Sequence, residues 1–66
     1  MDAAAKGERY ARIFRKAGTL IGKGNIARAI QTLKEGQELA QSLGDHGMAR
    51  RFSEEIARVS DPPAAE

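Results

Sequence analysis

The chain has 66 residues, of which 41% are hydrophobic and 30% are charged, and it contains one His and no Cys. A chain this short forms one small domain, with little room for a core and a deep catalytic pocket together. The missing Cys excludes a disulfide framework, a thiolate metal site and a cysteine nucleophile, and the hydrophobic fraction excludes plain disorder.

The net charge of +2 is unevenly distributed, with +6 over residues 1–34 and −4 over residues 35–66. Such asymmetry fits an acidic partner, head-to-tail contact between copies, or complementary faces within one bundle. The first residues lack the pattern of a secretion signal, and no stretch approaches the ~18 apolar residues of a membrane span. We therefore expect a cytoplasmic protein without a membrane span.

The first predicted helix covers residues from about 3 to 22. Its apolar residues recur at steps of one and three, which is the period of an amphipathic helix. They are Tyr10, Ile13, Phe14, Ala17, Leu20 and Ile21. Two closely spaced glycines in Gly22-Lys23-Gly24 then favour a turn.

Two further helices are predicted over residues 26–43 and 46–60. Asn25 and Asp45 are of the residue types that cap helix N-termini, and Gly44 suits the left-handed position after a helix end. The apolar residues of both segments again follow a helical period, and no stretch alternates like a strand.

These elements predict an all-α fold, a three-helix bundle of antiparallel helices in a single domain over residues 1–60. Asp61-Pro62-Pro63 is expected to end the third helix and to leave residues 61–66 as a flexible tail. Gly18 and Gly36 lie beside the apolar stripes, so we expect a neighbouring helix to approach closely at both.

No motif predicts catalysis, a metal or a cofactor. The segment from Gly18 to Gly24 has the wrong glycine spacing for a phosphate-binding loop and lacks the hydroxyl after Lys23. His46 stands in a turn without a second histidine, and the adjacent Glu54 and Glu55 point in different directions on a helix. We expect a protein that is not an enzyme and binds no cofactor.

Basic residues form a stripe along the first helix, at spacings of 3, 4 and 7 residues: Arg9, Arg12, Lys16 and Lys23. The stripe could meet nucleic-acid phosphates, an anionic membrane surface or an acidic protein, or it could be a solvated face without a partner. Tyr10 is the single candidate for base stacking near it, and this residue falls on the apolar side of the helix.

The order of small and large apolar residues resembles the tetratricopeptide repeat, a 34-residue pair of antiparallel helices. The matching positions are Ile13, Ala17, Leu20, Gly24, Asn25, Ala29, Leu33 and Gly36, followed by a partial repeat with Ala49, Phe52, Ser53 and Ile56. The match covers about one and a half repeats, over residues 10–59. Lys16 departs from it at a usual leucine position, and no Pro closes the first repeat. A three-helix MIT-type domain has similar length and spacing.

The resemblance implies a scaffold for protein contact, in which the inner face of the first helix lines a binding groove. Phe14, Gly18 and Ile21 would lie on that face; alternatively, the third helix covers them and closes the bundle. We expect a non-catalytic interaction module, an adaptor that also forms a homodimer. Its partner-binding residues would be Phe14 and Ile21 as apolar anchors, with Arg9, Arg12 and Lys16 selecting an acidic partner. The alternative function is a small, basic nucleic-acid-binding domain.

Overall fold

A computed structural model describes residues 3–60 of the chain. It contains three α-helices: α1 (Ala3–Gly22), α2 (Ile26–Ser42) and α3 (His46–Ser60). The predicted all-α, three-helix fold is confirmed, and α2 ends at Ser42, one residue before the expected end. The predicted stop and flexible tail over residues 61–66 lie outside the described residues.

The two connections between helices are glycine turns of the same type. Gly24 and Gly44 have φ angles of 80° and 71°, in the left-handed region that glycine adopts without strain. In each turn, the amide of the next residue donates to a carbonyl five residues earlier, at 2.8 Å. These bonds satisfy carbonyl groups at the end of one helix before the next begins.

The residue after each glycine caps the following helix. The Asn25 side chain accepts a hydrogen bond from the Arg28 amide at 3.3 Å, and the Asp45 side chain accepts one from the Met48 amide at 3.2 Å. Each bond satisfies an amide that has no partner within its own helix. Both predicted N-caps are therefore confirmed.

The core forms where α1 and α3 each pack against α2. Small side chains dominate α2 at this contact, which lets the helices lie close together. The buried hydrophobic cluster consists of Tyr10, Ala17, Leu33, Ala40, Ala49 and Phe52.

Phe52 of α3 stands at the centre of this core, with no exposed surface. Its ring stacks on Phe14 at a centroid distance of 4.5 Å and an angle of 6°, and it meets the Tyr10 ring edge-on at 5.8 Å. A Cβ atom at Gly36 would lie 2.9 Å from Cδ1 of this ring and closer still to Cε1 and Cζ. The expected close approach at Gly36 is therefore confirmed.

The same expectation is wrong for Gly18. Gly18 is exposed on α1, and a Cβ atom there would meet no heavy atom within 4 Å. A residue beside the apolar stripe of a helix can face either another helix or solvent. Sequence spacing alone does not show which of the two it faces.

Asp45 joins the start of α1 to the turn between α2 and α3. One carboxylate oxygen caps α3, and the other lies 3.2 Å from Lys6 Nζ and accepts a hydrogen bond from the Tyr10 hydroxyl at 3.3 Å. The Met48 amide is the main cause of the lowered pKa of Asp45, and Lys6 lowers it further. Burial, with the nearby Asp45 charge, raises the pKa of Tyr10.

We expect Gly36→Ala to destabilise the protein by about 1–3 kcal/mol, because the added methyl overlaps a ring that its neighbours hold in place. Gly18→Ala is the matched control in open space, and it should stabilise α1 by about 0.5–1 kcal/mol. Urea unfolding followed by circular dichroism measures both. Equal effects of the two substitutions would contradict the packing at Gly36.

Asp45→Asn should remove the stabilisation that depends on the Asp45 charge while keeping a good N-cap. A carboxyl with a lowered folded pKa stabilises the fold above its unfolded pKa, and this contribution disappears as pH falls through the folded value. The stability difference between wild type and Asp45→Asn should therefore be present at neutral pH and shrink at about pH 3. An unchanged difference between the two pH values would show that Asp45 acts without its charge. Glu38→Gln, at an exposed position on α2, is the control.

Candidate functional site

Three basic residues of the predicted stripe lie on the exposed side of α1, and the fourth, Lys23, lies in the turn after this helix. Arg9, Arg12 and Lys16 are all exposed, and no carboxylate within residues 3–60 approaches any of them to within 4 Å. Of the eight other Lys and Arg residues within residues 3–60, three form an ion pair within 4 Å and five do not. The ion pairs are Lys6–Asp45, Arg50–Glu54 and Arg58–Glu55.

The position of these cations follows from the period of α1. Tyr10 and Ala17 point into the core, so residues displaced from them by about half a turn, such as Arg12, point to solvent. The α1 sequence contains five Lys or Arg residues and one acid, Glu8. This helix therefore carries an excess of positive charge along its exposed side.

A shallow groove of about 300 Å³ lies between α1 and α2. Arg9, Arg12 and Ile13 line it from α1, and Glu35 and Leu39 line it from α2. Ile13 and Leu39 are partly buried and pack against the core, whereas the three charged residues are exposed. The groove thus combines an apolar base with charged rims.

Sequence inspection identified Arg9 and Arg12 but missed Glu35 and Leu39. The missed signal is the antiparallel register around Gly24: two helices that meet at a turn place residues at equal distances before and after it side by side. Counting 11 and 15 residues each way from Gly24 pairs Ile13 with Glu35 and Arg9 with Leu39. Both pairs line the groove.

Phe14, predicted as an apolar anchor, takes part in the packing between α1 and α3. It is half-buried, its ring stacks on Phe52, and the Arg51 guanidinium carbon lies 5.5 Å from its centroid. Such an arrangement combines aromatic and cation–π attraction with burial. Phe14 therefore supports the fold and exposes part of its side chain.

Ile21, the second predicted anchor, is 39% exposed at the end of α1. Ile26, 38% exposed, begins α2 on the other side of the same turn. On the predicted inner face, α3 thus packs on Phe14 but leaves Gly18 and Ile21 exposed.

The remaining sequence candidates lie apart from the groove. His46 is exposed at the start of α3, and residues 3–60 hold no group of three His, Cys, Asp or Glu side chains placed for a metal ion. Glu54 and Glu55 form ion pairs along α3 with Arg50 and Arg58. Among the described helices, none is long and apolar enough to cross a membrane.

No protein-family model matches this chain, and comparisons with curated proteins and with solved structures give no match either. The tetratricopeptide and MIT resemblances therefore rest on the residue pattern, with which the three-helix architecture is compatible.

Phe14→Ala and Ile21→Ala should affect stability differently. Phe14→Ala should lose about 2 kcal/mol, because it removes a half-buried ring from the Phe52 stack. Ile21→Ala should change stability by about 0.5 kcal/mol, as is usual for an exposed site. Chemical unfolding of the two single variants measures the difference. Equal losses would contradict the stacking of Phe14 on Phe52.

Proposed function

We propose that this protein is a non-catalytic interaction module that binds an acidic protein partner through α1. The proposal rests on one observation above the others: Arg9, Arg12 and Lys16 share the exposed side of α1, and none of them forms an ion pair within 4 Å among residues 3–60. An unpaired, hydrated cation costs nothing in the free protein and remains available for a partner's carboxylate. Arginine suits this role, because its planar guanidinium binds a carboxylate through two parallel hydrogen bonds.

Two features favour a protein partner over the alternative, a nucleic acid. First, the groove beside Arg9 and Arg12 has an apolar base and a carboxylate, Glu35, which would repel phosphates. Second, Tyr10, Phe14 and Phe52 pack against each other, so their rings are engaged within the fold and not arranged as stacking platforms for bases. An apolar base between charged rims is typical of a protein-binding surface.

The resemblance of the sequence to the tetratricopeptide repeat supports the same class of function, as a scaffold for protein contact. Self-association is proposed on narrower ground, because Ile21 and Ile26 are exposed at the same end of the molecule. A homodimer would bury these two side chains at the contact. Since Ile21→Ala should spare the fold, light scattering of this variant is the direct probe of the dimer.

Capture experiments test the acidic-partner proposal with three tagged forms of the full chain. They are the wild type, Arg9→Glu/Arg12→Glu on α1, and Arg28→Glu/Lys34→Glu on α2, which changes the net charge equally at exposed positions. We expect proteins retained by the wild type at about 0.15 M salt to be lost with the α1 variant and kept with the α2 variant. Quantitative mass spectrometry of nuclease-treated lysates measures the retention.

Identical retention by all three forms would show that α1 is not the binding surface. Retention that disappears on nuclease treatment would instead favour nucleic-acid binding, with log affinity falling linearly with log salt.

A further inference from the structure

The groove between α1 and α2 lies away from α3. Steps of about 100° per residue place Arg9, which lines the groove, some 140° around α1 from Phe14, which stacks on Phe52 of α3. On α2, Glu35 and Leu39 line the groove, whereas Gly36 faces Phe52. The α1–α2 pair thus holds a helix, α3, along one edge and presents an open groove along the other.

The groove has opposite charges on its two rims. Arg9 and Arg12, one helical turn apart, stand on the α1 rim, and Glu35 stands on the α2 rim. Among the described residues no ion pair within 4 Å joins the two rims. Ile13 and Leu39 form an apolar strip between them.

We propose that this groove binds an amphipathic helix of the partner that has carboxylates along one flank and a basic residue along the other. The inference rests on the proposed function and adds the chemical pattern of the partner. Apolar side chains of that helix would pack on Ile13 and Leu39, in the way that apolar rows fill the grooves between packed helices. Its carboxylates, three or four residues apart, would pair with Arg9 and Arg12, and its basic residue with Glu35.

Charge disfavours α1 or α3 of a second copy of this chain as the helix that occupies the groove. The α1 helix of a second copy would bring five cations and one acid towards rims that already carry two arginines. The carboxylates of α3 beyond its N-cap, Glu54 and Glu55, already form ion pairs within α3. Like charges placed opposite each other weaken association and so select against the wrong partner.

Glu35 is the residue that determines specificity in this arrangement. With Arg9 and Arg12 alone, the groove would prefer a helix with acids on both flanks. Glu35 penalises a carboxylate on the α2 side and favours a cation there. Because Glu35 is exposed, its replacement should leave the fold intact.

Three synthetic helical peptides with identical leucine rows and blocked termini test the inference against the full chain. Their flanks carry Glu and Lys, Glu and Glu, or Lys and Lys. Fluorescence anisotropy should rank the Glu/Lys peptide first and the Lys/Lys peptide last. Replacing the central leucine of the Glu/Lys peptide by serine should weaken binding about tenfold, since it removes one buried apolar side chain.

Glu35→Arg should reverse the order of the first two peptides, changing their affinity ratio by about three- to tenfold, as expected for exposed charge pairs. Lys34→Glu, exposed on the same helix, should leave the ratio unchanged. Arg9→Glu/Arg12→Glu should abolish the preference for carboxylates.

The inference is overturned if the Glu/Lys and Glu/Glu peptides bind the wild type equally and Glu35→Arg does not alter their ratio. If both peptides still require Arg9 and Arg12 in that case, the acidic-partner proposal survives without the groove. If binding is independent of these arginines, or if duplex DNA displaces the peptides at equal charge concentration, both proposals fail.

Discussion

The contact between Phe52 and Gly36 determines how the three helices assemble. A fully buried ring lies on Gly36 of α2, where a Cβ atom would collide with it, so α3 can pack closely on that edge. The same ring stacks on Phe14 and meets Tyr10, and α1 is thereby held against the α2–α3 pair. In a chain of 66 residues, a single large side chain supplies a considerable part of the core. Because α3 packs on this edge, the other edge of the α1–α2 pair is open to solvent.

Charged residues have different roles in two parts of the molecule. In the turn between α2 and α3, the Asp45 carboxylate caps α3 and binds Lys6 and Tyr10 of α1, so its charge stabilises the fold. At the outer edge, Arg9, Arg12 and Glu35 border a groove without pairing among the described residues. Surface ion pairs contribute little to stability, so leaving these residues unpaired costs the fold little and keeps them available for a partner. This division is the physical basis of the proposed binding function.

The local elements of this structure could be predicted from the sequence, whereas most contacts between distant residues could not. Helical periods and the residues Gly24, Asn25, Gly44 and Asp45 suffice to place three helices, since turns and caps depend on neighbouring residues. The Lys6 and Tyr10 contacts of Asp45 span more than thirty residues, and a pattern of local spacing carries no information about them.

The two glycines and the groove also show that local spacing does not predict contacts between helices. Gly18 and Gly36 have equivalent places beside an apolar stripe, but only the tertiary packing shows that Phe52 covers Gly36. Arg9 and Arg12 are visible as a basic stripe, while Glu35 requires the register of α1 against α2.

Nuclear Overhauser contacts of the Phe52 ring would show which edge of the α1–α2 pair α3 occupies. We expect strong contacts from this ring to the Gly36 α-protons and to the Phe14 ring, together with an upfield shift of the Gly36 α-protons beneath the ring. Contacts from Phe52 to Arg12 or Glu35, with an unshifted Gly36, would contradict this packing of α3. In that case α3 would fill the groove, and no surface would remain there for a partner.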